Sequence, residues 1–161
     1  MQRRTCLKLL PAGLVAGCGF ELRRNPVLPF ARIQLGGFAP RSPLADELSR
    51  ELGHSVTVVQ ANEQPEVVLL AITDRRDRAI VAATAAGQLR EVQLRVHFEF
   101  RLTTAAGREL IPPTGIVLAR DMSYSETFAL AKEQEEALLY AAMQSEIVMQ
   151  VLRRLSAVPK V

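Results

Sequence analysis

The chain has few of the residues that carry chemistry. It holds two histidines, His54 and His97, two cysteines, Cys6 and Cys18, and no tryptophan. His54 follows a glycine that reads as a helix stop, and His97 lies among Arg95, Glu99 and Arg101. Neither has the His or Cys companions that a metal site needs, so no metal is expected. Both cysteines fall within the first eighteen residues, so the rest of the chain has no thiol for a disulfide or a ligand set. A glycine-rich phosphate loop and a nucleophile motif are also missing. Glu133, Glu135 and Glu136 imitate an acid/base group, but carboxylates at a helix start are ordinary partners of its positive end. No catalytic residue and no cofactor is expected. Long apolar runs are lacking too: Leu9–Gly17 is far too short to span a bilayer as a helix, and no second run is long enough.

What is present begins at the N-terminus. Arg3, Arg4 and Lys8 make a basic start, and the apolar segment after them ends in Leu14-Val15-Ala16-Gly17-Cys18. This is the pattern of a bacterial lipoprotein signal. Two small residues fit the narrow cleft of a signal peptidase, and the Cys18 thiol takes up a diacylglycerol. Each buried acyl methylene contributes about 0.8 kcal/mol, and more than one chain gives stable anchoring. Gln2–Lys8 also has the look of a degenerate twin-arginine signal, although any basic start can hold two adjacent arginines. The chain therefore divides into a signal peptide, 1–17, a lipidated tether, 18–29, and a single domain, 30–161. Of the twenty Lys and Arg, three lie in the signal, and none of the seventeen acids does, so the remainder is formally neutral. The basic pI is thus no argument for a nucleic-acid partner.

Within the domain, periodicity sets the elements. Phe30–Leu35 reads as a first strand closed by Gly36-Gly37. Ser42-Pro43 opens a helix, with Leu44, Leu48 and Leu52 on one face and Gly53 as its stop. Val56 and Val58 mark a short strand. Val67–Ile72 suits a central strand, apolar on both faces. Asp74–Arg78 interrupts it with charge, and β character resumes to Thr84; one long bent strand is preferred because no turn residue intervenes. Val92, Leu94, Val96, Phe98, Phe100 and Leu102 alternate with Gln93, Arg95, His97, Glu99 and Arg101, which demands a strand with one buried and one wet face. Gly107 turns the chain, Pro112-Pro113 permits only an edge or a bulge, and Ile116–Tyr124 continues as a strand. Ser123 with Glu126 forms a capping-box pattern. A long helix then runs to about Leu155, with Leu139, Met143, Ile147, Val151 and Leu155 on its packed face, widened by Leu138, Ala142, Met149 and Leu152. The expected fold is α+β: two helices packed on one face of a four- to five-stranded, mostly antiparallel sheet.

At this point the chain resembles a known family. Cys18-Gly19-Phe20-Glu21-Leu22-Arg23-Arg24 is similar to Cys-Gly-Phe-His-Leu-Arg-Gly, with which mature outer-membrane lipopolysaccharide-assembly lipoproteins, LptE, open. Glu21 and Arg24 depart from that pattern. Gly87, the alternating strand, Gly107, Arg120–Tyr124, Ala129-Leu130-Ala131-Lys132, Glu135-Glu136 and Arg154-Leu155 follow the family's order as well. The resemblance implies a lipoprotein that plugs and helps assemble the lipopolysaccharide-translocon β-barrel, and contacts lipopolysaccharide. Gly19, not aspartate, follows the acylated cysteine, which by the same resemblance implies the outer membrane. The other reading is a lipoprotein subunit of a different envelope lipid-trafficking complex, docking on an inner-membrane transporter. Under the first reading, Gln93, Arg95, His97, Glu99 and Arg101 would face the barrel. Arg75, Arg76, Arg78, Arg90 and Arg120, at expected strand ends or breaks, have the forked donors that suit lipopolysaccharide phosphates. They also read as solvated charges balanced by Asp74, Asp77, Glu91 and Asp121.

Overall fold

The computed structural model describes residues 27–60 and 62–160. The signal peptide, Cys18 and most of the tether lie outside the described residues. The elements run β1 (Arg32–Gly36), α1 (Pro43–Leu52), β2 (Thr57–Val59), β3 (Val67–Ala83), β4 (Leu89–Thr104), β5 (Glu109–Ser123) and α2 (Ala129–Ser156). The strands form one five-stranded sheet in the order β2-β1-β3-β4-β5. β1 pairs parallel with β2 and β3, whereas β3-β4-β5 is an antiparallel meander. The first strand starts at Arg32 rather than Phe30, whose side chain is buried in the core instead.

The α1 start is as its residues dictate. Ser42 is the N-cap, its hydroxyl accepting from the Ala45 N–H at 3.2 Å, and Leu44, Leu48 and Leu52 are buried. Gly53 ends the helix while still in right-handed backbone (φ −59°), so it stops α1 without a left-handed cap. The α2 start differs from the expected capping box. Ser123 remains the last residue of β5 and its hydroxyl accepts from Lys132 Nζ; a single 3-10 turn, Glu126–Phe128, then leads into the helix. The strand keeps Ser123 because Tyr124 still donates its N–H to Arg90 O at 2.8 Å, extending the ladder past the place where the cap would form.

β4 is the spine of the core. Val92, Leu94, Val96, Phe98, Phe100 and Leu102 are all buried, packing under both helices. From α2 come Met143, Ile147, Val148, Val151, Leu152 and Leu155. Leu138 is 72% exposed and Ala142 is also exposed, so the packed stripe is narrower than expected and is rotated toward Gln144 and Val148. Two-sided apolar β3 proves to be one strand of 17 residues, as preferred, but with a bulge between Ala71 and Thr73. Before it, Val67, Leu69 and Ala71 point into the core; after it, Asp74, Arg76 and Arg78 stand opposite Phe98, Val96 and Leu94 and occupy the helix side. The extra residue reverses the strand's face because side chains alternate with period two.

Candidate partner-facing sheet surface

The helices cover one face of the sheet and leave the other bare. Gln93, Arg95, His97, Glu99 and Arg101 lie on this bare face, as the alternation requires, with their neighbours in sequence buried on the opposite side. Register brings β3 and β5 residues beside them: Thr73 opposite Glu99, Arg75 opposite His97, Asp77 opposite Arg95, and Val117, Ala119 and Asp121 opposite His97, Arg95 and Gln93. The polar groups pair both across and along the strands. Gln93 donates to Asp121 at 2.7 Å and accepts from Arg95 Nε at 2.6 Å. Asp77 Oδ2 lies 3.4 Å from His97 Nε2 and 3.1 Å from Arg75 Nη2, and the Thr73 hydroxyl donates to Glu99 at 3.5 Å. Such exposed pairs contribute little to stability, about 0–1 kcal/mol each. Their effect is to present a hydrophilic surface on which Asp77 and Asp121 already have polar partners.

The five arginines do not converge. Arg75 alone belongs to the bare face. Arg76 and Arg78 sit within β3, not at a break, and the bulge turns them toward α2. Arg76 donates to Gln144 and lies 5.4 Å from the Tyr140 ring; Arg78 meets Glu136 at 3.6 Å and the Tyr124 ring at 5.2 Å. Arg120, opposite buried Leu94, is paired with Glu146 of α2 at 3.0 Å. Arg90 is exposed at the far end, where it lines a shallow polar cleft with Gln88 and Glu126.

Sequence reading missed the polar joint between the helices and β3. Gln144 is buried, donates to Pro43 O at 3.0 Å and to Glu47, and accepts from Arg76. Ser145 also donates to Glu47, at 2.6 Å, and Ser42 to Asp74, at 2.5 Å. The available signal was Gln144's spacing, four residues before Val148 and eight before Leu152, which places an amide on the packed face. Beside it, the Tyr140 hydroxyl donates to Asp77 O at 2.9 Å. Burial, and after it the charge of Glu136, raises that phenol above its ordinary pKa and keeps it a neutral donor.

Among the described residues, no group of three or more His, Cys, Asp or Glu is placed to hold a metal ion, and no helix is long and apolar enough to cross a membrane. A two-helix layer on a sheet whose other face is broad, polar and uncovered defines the molecule by its surface. Its class is that of small α+β domains with two helices on one face of a mixed five-stranded sheet. The family model described as LptE: Lipopolysaccharide-assembly matches residues 30–155, and the chain belongs to that family. Solved structures to which the chain is similar include three lipoproteins. An uncharacterized lipoprotein B from Nitrosomonas europaea is 31% identical, with a TM-score of 0.71 over 86% of this chain and 91% of that one. A rare lipoprotein B from Shewanella oneidensis is 24% identical (TM-score 0.65, 78% and 94% covered), and a minor lipoprotein from Acinetobacter baumannii 22% (0.65, 84% and 98%). The last two speak for the fold alone. No functionally curated protein matches the chain.

Proposed function

We propose that this lipopolysaccharide-assembly protein is held in the outer membrane by acylated Cys18, plugs the lipopolysaccharide-translocon β-barrel and assists its assembly, and takes no part in catalysis. The observation that carries the reading is the bare sheet face. The lumen of a transmembrane barrel is polar. A face made largely of polar side chains, with Gln93–Asp121 and Thr73–Glu99 bonded across strands, matches such a lumen in polarity. Reversing Arg95 and Arg101 together (Arg95→Glu, Arg101→Glu) is expected to reduce copurification of a large barrel protein at least about tenfold by electrostatic mismatch. Both side chains are exposed, so the thermal midpoint should stay near that of the parent. Unchanged copurification from detergent-extracted outer membranes would remove the sheet face from the interface.

The anchor yields a separate prediction. Cys18→Ala should leave a soluble or uncleaved precursor without the acyl mass, read by mass spectrometry of fractionated envelopes. Because the barrel contact is broad, partial function should survive; complete loss in a stably exported Cys18→Ala protein would contradict the plug reading. Of the arginines, Arg75 and Arg90 retain guanidinium groups free of contacts to α2 and are the better lipopolysaccharide contacts. Arg76, Arg78 and Arg120 would first have to leave Gln144, Glu136 and Glu146.

A further inference from the structure

The sheet has two edges, and they are guarded differently. β2 closes one side with three residues, too short to template another strand. β5 closes the other with fifteen. Its first half is blocked by Pro112 and Pro113, which have no N–H to offer. Its second half, Ile116–Ser123, contains no proline and runs about 25 Å.

The phase of this bare stretch is fixed by one hydrogen bond. Tyr124 donates its N–H to Arg90 O, and the register continues as Ser123 opposite Glu91, Asp121 opposite Gln93, Ala119 opposite Arg95 and Val117 opposite His97. In an antiparallel ladder hydrogen-bonded and open pairs alternate. Met122, Arg120, Leu118 and Ile116 therefore spend their backbone groups on β4, while Asp121, Ala119 and Val117 aim theirs outward. Among the described residues, the one group that meets these outward positions is a side chain. Arg120 Nη1 donates to Ala119 O at 3.0 Å, where the N–H of a neighbouring strand would sit. The side chains of the same three residues lie on the bare polar face, with Val117 60% exposed, so edge and face form one continuous surface.

We propose that Ile116–Ser123 accepts an extended segment of the barrel partner as a sixth strand, paired through Val117, Ala119 and Asp121. Backbone complementarity selects an extended polypeptide over a lipid or sugar. The choice of chain rests on the plug reading above: a barrel filled by one plug leaves the barrel's own polypeptide as the neighbour within reach. Pairing with a second copy fits less well. Antiparallel β5–β5 pairing about Ala119 sets the two anchored ends about 65 Å apart along the strands, so with the strands upright only one copy would keep Cys18 at the membrane.

The test is residue-resolved amide hydrogen exchange on the full lipidated protein extracted from its membranes, compared with the purified protein alone. Amides of Val117, Ala119 and Asp121 should exchange at least about 100-fold more slowly in the membrane-extracted assembly. A photocrosslinker at Ala119 should capture an extended segment of the barrel. Ala119→Pro removes an N–H that the protein's own sheet does not use; it should keep the parental thermal midpoint and lose this protection and the barrel crosslink. Outward amides that stay fast while a barrel is bound would overturn the sixth strand and leave the plug reading intact. Protected amides crosslinked to a second copy would also overturn it. Should no barrel be recovered with the wild-type protein, both readings fail together.

Discussion

Phe98→Ala is expected to destabilise the domain by about 3–5 kcal/mol, the range for emptying a buried aromatic site. Phe98 is 1% exposed and sits at the middle of β4. Its ring stacks against Phe38 at 5.8 Å and Phe100 at 5.5 Å, with interplanar angles of 19° and 14°. Phe38 belongs to the β1–α1 connection and Phe100 to β4, so alanine would open a cavity joining two parts of the core. Phe100 is held by the β3 and β5 ladders on either side and cannot follow the lost ring, which keeps the cavity term large. Domains of this size are stable by about 5–15 kcal/mol, so the loss consumes a large fraction of the total. In urea the midpoint should fall by about 2 M with an unchanged slope. Val117→Ala, across the sheet on the bare face, should change stability by no more than about 0.5 kcal/mol. Equal effects at the two positions would mean that the sheet buries both faces.

That contrast also marks what could be read from the chain. The alternation from Val92 to Leu102 has one physical solution, and the structure adopts it. The same holds for α1, where cap, proline and leucine spacing agree. The α+β architecture followed from these strong patterns, and so did the membership of Gln93, Arg95, His97, Glu99 and Arg101 in a wet face. The arginines were harder because their face depends on a single inserted residue. Without the bulge after Ala71, Arg76 and Arg78 would join the bare face; with it, they pair with α2. A bulge is a property of two strands in register, and neither strand's own pattern announces it. The partnership of Gln93 with Asp121 depends on register for the same reason, and the absent capping box shows tertiary pairing overriding a local motif.

The close approach beside this bulge gives the second large effect. Gly37 has φ +77°, and a Cβ there would lie 2.2 Å from Ala71 O and 3.2 Å from its carbonyl carbon. Ala71 is the last core-facing residue of β3 before the bulge. Gly37→Ala therefore carries two costs: the left-handed backbone, about 1–2 kcal/mol for a residue with a Cβ, and a collision with backbone that no rotamer can relieve. The sum should reach at least about 3 kcal/mol. Gly107→Ala separates the terms, since Gly107 has φ +86° with nothing within 4 Å of a built Cβ. It should lose only the conformational part, about 1–2 kcal/mol. The excess at Gly37 then measures how firmly β1 holds β3 at the bulge. Relief of the collision means moving β1 from β3, so exchange of the β1 and β2 amides should accelerate before that of the β4–β5 ladder. If Gly37→Ala and Gly107→Ala unfold at the same denaturant concentration, the close approach of Gly37 to Ala71 does not set the bulge, and the direction in which Arg76 and Arg78 point must be fixed by their contacts with α2 alone.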